Sequence, residues 1–266
     1  MLKFCSLYSG SSGNSLLVES PNTKVLIDAG VSSKKIESAL NGMNIDIKDI
    51  NAILVTHEHI DHIKGLAAIA KKFDIPIYAN RETWDAMPEI SQKVDLSNQY
   101  QFTPNEKFDI GDLKVFPFQI PHDAANPCGF NLFHKNEKIS IATDLGHVDS
   151  NLIKYLEDSI FILLEANYDT NILKCSRYPY ILKQRIAGPN GHLSNEMAGK
   201  TISYLMKSGL SKVMLGHLSK ENNFPELAYQ TVIDELCHEN FDENKLSVSV
   251  ASRVTPSNVI DIVRAV

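Results

Sequence analysis

Short apolar runs alternate with amphipathic stretches along the whole chain. Runs with the length and β-branched content of strands lie at Ser15–Val18, Lys24–Ile27, Ala52–Thr56, Ile77–Ala79, Leu113–Ile120, Gly129–Phe133, Ile139–Thr143, Ile160–Leu164, Lys212–Gly216 and Leu246–Ala251. Helical patterns separate them: Ser33–Leu40 stopped by Gly42, Ile63–Lys72, Leu152–Leu156, Asn195–Ser208 between N-cap Ser194 and Gly209, and Glu226–Glu239 behind Pro225. Strands and helices in both halves predict an α/β chain folded as a four-layer αββα sandwich. No Pro-rich or low-complexity linker divides it, so residues 1–266 are expected to form a single domain.

Composition narrows the class. With 43% hydrophobic and 22% charged residues, the 266-residue chain is neither disordered nor fibrous. A net charge of −6 argues against a broad nucleic-acid-coating surface, while leaving room for a local basic groove or a positive site made by metal. Cys5, Cys128, Cys175 and Cys237 form no CxxC pair, so reduced thiols are expected rather than a disulfide framework or a thiolate zinc site. The start has no apolar signal region and nowhere do about 18 apolar residues run together, which predicts a cytoplasmic protein without a membrane span.

The densest chemistry is His57-Glu58-His59-Ile60-Asp61-His62, between the strand Ala52–Thr56 and an amphipathic helix. Residues two apart in an extended segment point the same way, so His57 and His59 can share one metal ion, while Asp61 and His62 at the helix start turn toward a second. Further ligands must come from elsewhere. His122, Asp144 and His217 each follow a predicted strand, where side chains converge on a sheet edge. Taken singly, each reads equally as a polar strand end or a helix cap. His134, in a polar hairpin, and His238, at a helix end, are expected on the surface.

The HxHxDH run followed by His122, Asp144 and His217 resembles the metallo-β-lactamase superfamily over nearly the whole chain. Four further stretches resemble the bacterial YycJ (WalJ) group within it: Tyr8–Ser15, Leu164–Asp169, Gly191–Asn195 and His217–Pro225. The resemblance implies a metallo-β-lactamase-like fold and two divalent ions per chain, zinc or manganese with iron as a third candidate. One ion would take His57, His59 and His122, the other Asp61, His62 and His217, with Asp144 bridging them. It further implies a dinuclear phosphodiesterase that uses a metal-bridging hydroxide, a 5′-exonuclease on DNA in preference to RNA, with Asp61, His192 and Glu165 in the catalytic set. His192 would stabilise the transition state or protonate the leaving oxygen; its plainer reading is a loop residue before the cap Ser194. Asn223 is a further candidate substrate contact.

Between Thr170 and Asn195 the chain carries Lys174, Arg177, Lys183 and Arg185 with Tyr178 and Tyr180 and no acidic residue. Such a segment suits a nucleic-acid strand, or is simply a solvated face. Ser11 and Asn14, in and beside the Gly10–Gly13 turn, are weaker candidates for holding phosphate. A glyoxalase II-like thioesterase uses the same seven ligands and is the enzymatic alternative. A non-catalytic regulatory binding protein with a vestigial site is the other, against which the complete ligand set argues.

Overall fold

The computed structural model describes residues 1–239 and 241–263. Its strands are β1 (Leu2–Tyr8), β2 (Ser15–Glu19), β3 (Lys24–Ile27), β4 (Ala52–Leu54), β5 (Ile77–Ala79), β6 (Gln99–Gln101), β7 (Phe108–Ile110), β8 (Leu113–Gln119), β9 (Cys128–His134), β10 (Glu137–Ala142), β11 (Phe161–Glu165), β12 (Lys212–Gly216), β13 (Ser247–Val250) and β14 (Ile260–Ile262). They form two sheets of seven described strands, ordered β14-β1-β2-β3-β4-β5-β6 and β13-β12-β11-β10-β9-β8-β7.

Alternation along each strand sorts its side chains between two cores. Val25 and Ile27 of β3, and Phe161 and Leu163 of β11, enter the layer between the sheets, where Phe4 and Phe161 pack with ring centroids 4.5 Å apart. Leu26 and Ile53 face out from the first sheet onto helices Ser33–Gly42 and Leu66–Phe73. Ile162 and Leu164 face out from the second onto helices Ser150–Leu156, Asn195–Leu205 and Pro225–Cys237. Three apolar layers between four layers of elements make the αββα sandwich. Because the central strands are buried on both faces, they read as continuous apolar runs.

All ten expected strands are present, with ends displaced by at most a few residues. β1, β6, β7 and β14 were not foreseen: Lys3 and Ser6 interrupt β1, and the others are three-residue segments ordered by pairing rather than by their own pattern. The helix expected at Ile63–Lys72 is split into Ile60–Ile63 and Leu66–Phe73. The break falls at Gly65, whose N–H donates to the Ala29 carbonyl and where a Cβ would meet the Val31 carbonyl at 2.2 Å. His134 is a correction: it is buried at the end of β9, where Asp112 from the β7–β8 turn lies 3.6 Å away and Glu137, its partner on β10, 3.8 Å away. His238 is exposed.

The parallel neighbours β3 and β4, and β10, β11 and β12, direct their C-termini to one edge of the sandwich. Phe161→Ala should lower the unfolding free energy by about 3–5 kcal/mol through a cavity between the sheets. The exposed Ile181→Ala should stay within about 0.5 kcal/mol of wild type. Equilibrium urea denaturation measures both, and a Phe161→Ala loss as small as that of Ile181→Ala would remove the inter-sheet layer as the main core.

Candidate metal centre

Strand ends deliver the polar residues. Asp28 follows β3, His57 comes three residues after β4, His122 three after β8, Asp144 two after β10, Glu165 ends β11 and His217 follows β12. Asp28, Asp144 and His217 have left-handed backbone, with φ of 62°, 62° and 54°, a conformation uncommon for non-glycine residues. At His217 the backbone is hydrogen-bonded on both sides: its N–H donates to Ser9 Oγ at 2.9 Å, and its carbonyl accepts from Asn167 Nδ2 at 2.7 Å.

The structure brings all seven expected ligands together. One donor atom each from His57, His59 and His122 lies within 4.8 Å of the others, as do those of Asp61, His62 and His217. Asp144 stands between the groups, 3.4 Å from His62 Nε2, 3.7 Å from His122 Nε2 and 3.1 Å from His217 Nδ1.

Two carboxylates absent from both groups set the histidine orientations. Asp28 Oδ2 accepts from His62 Nδ1 at 2.7 Å and from the Thr56 hydroxyl at 2.9 Å. That hydroxyl has one proton, so Thr56 Oγ1 accepts from His57 Nδ1, also at 2.9 Å. Glu165 Oε1 accepts from His192 Nδ1 at 2.8 Å and His217 Nδ1 at 2.9 Å; its Oε2 accepts from the N–H groups of Leu145 and Leu193. His122 Nδ1 donates to the Gly191 carbonyl at 3.0 Å. His57, His62, His122 and His217 thus spend their Nδ1 protons outward and turn Nε2 inward, the arrangement of imidazoles held for a cation, while His192 lines the cleft. His57 Nε2, His217 Nε2 and Asp144 Oδ2 are buried with no hydrogen-bond partner. Buried polar atoms without partners are costly, and a divalent cation satisfies such a donor set.

In the metal-free protein the crowded carboxylates favour protons. Burial opposes charging of His62, but Asp144, Asp28 and Asp61 outweigh it and raise its pKa to about 9. His217 is also raised, burial being overridden by Asp144, Asp61 and Glu165. His57 is pushed well below the ordinary histidine value by burial and by the surrounding histidines. Against burial, His217 and His62 hold Asp61 low, and His192 and His217 hold Glu165 low. His192 is raised because Glu165 overcomes its burial.

A cleft of about 200 Å³ opens beside the centre, lined by residues including Ser11, Asp123, Tyr178, Arg185 and His192. Ser11, Arg185 and His192 are therefore placed together as expected from the sequence. Asn14 is not in the cleft: buried, it places Nδ2 3.1 Å from His62 Nε2 and accepts the Gly10 N–H. Asn223 is a correction, because its amide is consumed internally by the Ala166 and Asn167 carbonyls and by Asn195. Glu165 is another: with every oxygen occupied by protein donors and no exposure, it cannot meet substrate and acts by positioning His192 and His217. The basic segment forms two short helices, Thr170–Cys175 and Tyr180–Ile186, that the sequence did not disclose. Lys174 and Arg177 are exposed away from the cleft lining, and Lys183 folds back onto the Lys174 carbonyl at 2.7 Å. Asp28 was missed, although it occupies the same strand-end position as Asp144 and His217.

This fold and donor set define a metal-dependent hydrolase. The metallo-beta-lactamase superfamily model matches residues 8–217, and the chain belongs to that superfamily, as a metallohydrolase of the YycJ type. It is 40% identical over 236 residues to exodeoxyribonuclease WalJ of Streptococcus pneumoniae serotype 2, covering 88% of each chain. It is 36% identical over 240 residues to exodeoxyribonuclease YycJ of Bacillus anthracis, covering 90% of this chain and 91% of that one. Among solved structures, zinc-bound PqqB from Methylobacterium extorquens superposes with a TM-score of 0.70 at 14% identity, covering 96% of this chain and 99% of that one, a likeness of fold. The centre binds divalent metal. Among the described residues, no helix is long and apolar enough to cross a membrane.

At neutral pH incoming cations must displace protons from this centre. Metal uptake should release protons, and the apparent affinity should climb as pH rises toward about 9, where His62 gives up its proton unaided. Stability of the metal-free protein should move the other way: the raised pKa of His62 contributes stability that is complete below its unfolded value of about 6.5 and lost as pH rises through about 9. Calorimetric metal titrations in buffers of different ionisation enthalpy measure the first effect and urea denaturation with chelator the second. Uptake without proton release, or an affinity flat across that range, contradicts this account.

Proposed function

We propose that the chain is a single-domain, dinuclear metal-dependent exodeoxyribonuclease that degrades DNA from 5′ ends in the cytoplasm. The observation that carries this reading is the pair of three-residue donor groups with Asp144 between them, beside a cleft that presents His192, Arg185 and Ser11. The names of the WalJ and YycJ relatives point to the same substrate. His57, His59 and His122 would hold one ion and Asp61, His62 and His217 the other, with Asp144 shared; zinc and manganese suit these donors, as does iron. Two such ions, when bound, polarise phosphoryl oxygens and bring a water near its pKa at neutral pH.

The protein's own work is orientation and proton handling. Glu165 fixes His192 through Nδ1, leaving Nε2 to face the cleft. A proton held at His192 Nε2 can be passed to the leaving oxygen of a phosphodiester, and Glu165 stabilises the cationic ring before the transfer. Arg185 and Ser11 meet the strand's phosphate oxygens, and Tyr178 offers a face on which a base can stack. These groups have no counterpart need in thioester hydrolysis, which favours the phosphodiesterase reading over the glyoxalase II-like one.

Metal-loaded protein should hydrolyse bis-p-nitrophenyl phosphate and release mononucleotides from the 5′ end of labelled DNA. His192→Ala should lower kcat by roughly 10² or more with metal content unchanged. Cleavage of S-lactoylglutathione at an ordinary enzymatic rate, with phosphodiesters and DNA untouched, would replace this reading by the thioesterase one.

A further inference from the structure

Asp123 has no part in either donor group, yet it borders both the centre and the cleft. Its Oδ1 lies 3.4 Å from His122 Nε2, the nitrogen turned toward the metal position, and its Oδ2 is 2.5 Å from Arg185 Nε. A carboxylate at the mouth of a site that receives phosphate is electrostatically unfavourable, so its presence needs a reason. Arg185 supplies one. Apart from the His192 ring, it is the one basic side chain among the described residues lining the cleft.

The backbone at Arg185 is also placed by the same loop that builds the centre. The carbonyl of Ile186, next to Arg185, accepts the His192 N–H at 2.8 Å, and the Gly191 carbonyl accepts from His122 Nδ1. A Cβ on Gly191 would meet the Arg185 and Ile186 carbonyls at 2.2 Å, so helix end and loop are in close contact. The Arg185 backbone therefore cannot drift from His192 or His122 without breaking this packing. The ion pair itself is different: Arg185 is 59% exposed and Asp123 32%, and solvent-reached pairs are weak and exchange partners readily. A guanidinium donates to a phosphate with the same fork geometry with which it donates to a carboxylate.

We propose that Asp123 is a built-in competitor for substrate phosphate: it holds Arg185 over the cleft in the free enzyme and surrenders it to a non-reacting phosphate of the nucleic-acid strand. The inference rests on the phosphodiester reading for the identity of the strand. Asp123 acts through Arg185, as a positioning residue, and sets how strongly an anion must bind to enter. Removing the two partners must then have opposite effects. Loss of Asp123 frees Arg185 and strengthens binding, whereas loss of Arg185 removes the phosphate contact and leaves the carboxylate facing the strand unneutralised.

The test measures metal-loaded wild type, Asp123→Asn and Arg185→Gln by fluorescence anisotropy with a labelled phosphorothioate oligothymidylate that resists cleavage. Turnover of the natural oligonucleotide and metal content are recorded in parallel. Asp123→Asn should bind about threefold more tightly and lower KM in step, with its metal content intact; Arg185→Gln should bind about tenfold more weakly, with the loss mainly in KM. Metal loss or weakened binding in Asp123→Asn would make it a support for His122 and overturn the proposal, as would two unchanged affinities. Tight binding without turnover in wild type would refute the nuclease reading while the opposite signs still judge Asp123. An absence of binding by wild type would overturn both.

Discussion

Everything at the centre depends on two buried carboxylates accepting imidazole protons. Asp28 accepts the Nδ1–H of His62 and, through Thr56, secures that of His57; Glu165 accepts those of His192 and His217. Without these acceptors the rings could rotate or adopt the other tautomer, and the inward Nε2 lone pairs would no longer converge. Burial of Asp28 and Glu165 is tolerable because each is supplied with several donors. The result is a pocket whose remaining unmet demand is for positive charge, met by protons in the metal-free protein and by divalent cations when they are present.

The sandwich makes that convergence possible by placing the ends of strands from both sheets at one edge. The first sheet contributes Asp28 and His57, the second His122, Asp144, Glu165 and His217, so the site is assembled only when the sheets pack. Left-handed backbone at Asp28, Asp144 and His217 marks where chain leaving a strand is bent to aim a side chain inward. The inter-sheet apolar layer and the centre are therefore mechanically continuous, and the core that stabilises the fold also sets the spacing of the donors.

Much of this was legible before the structure. A strand followed by His-x-His-x-Asp-His and a helix is a local pattern, and local patterns report what neighbouring residues do together. The long central strands were legible because burial on both faces makes them continuously apolar, whereas β6 and β14 depend on partners far along the chain. Asp28 escaped notice because a lone aspartate after a strand has no local signature distinguishing it from a cap; its role appears only when His62 is brought beside it. Asn223 misled for the converse reason: a polar residue in a loop near the site gives no sign of whether its amide faces in or out, and here Asn195 and two carbonyls claim it. The basic segment likewise hides its division of labour, with Arg185 directed to the cleft and Lys183 to a carbonyl of its own neighbourhood.

The central claim is that seven side chains, of which His57, His62 and His217 are oriented by Asp28 and Glu165, hold two ions with Asp144 between them. Elemental analysis of protein saturated with zinc or manganese and freed of excess tests it most directly, on wild type and on Asp144→Ala. Two ions per wild-type chain, and the loss of at least one from the variant, are the expected result. One ion or none in the wild type, or two retained with full activity in Asp144→Ala, would contradict it.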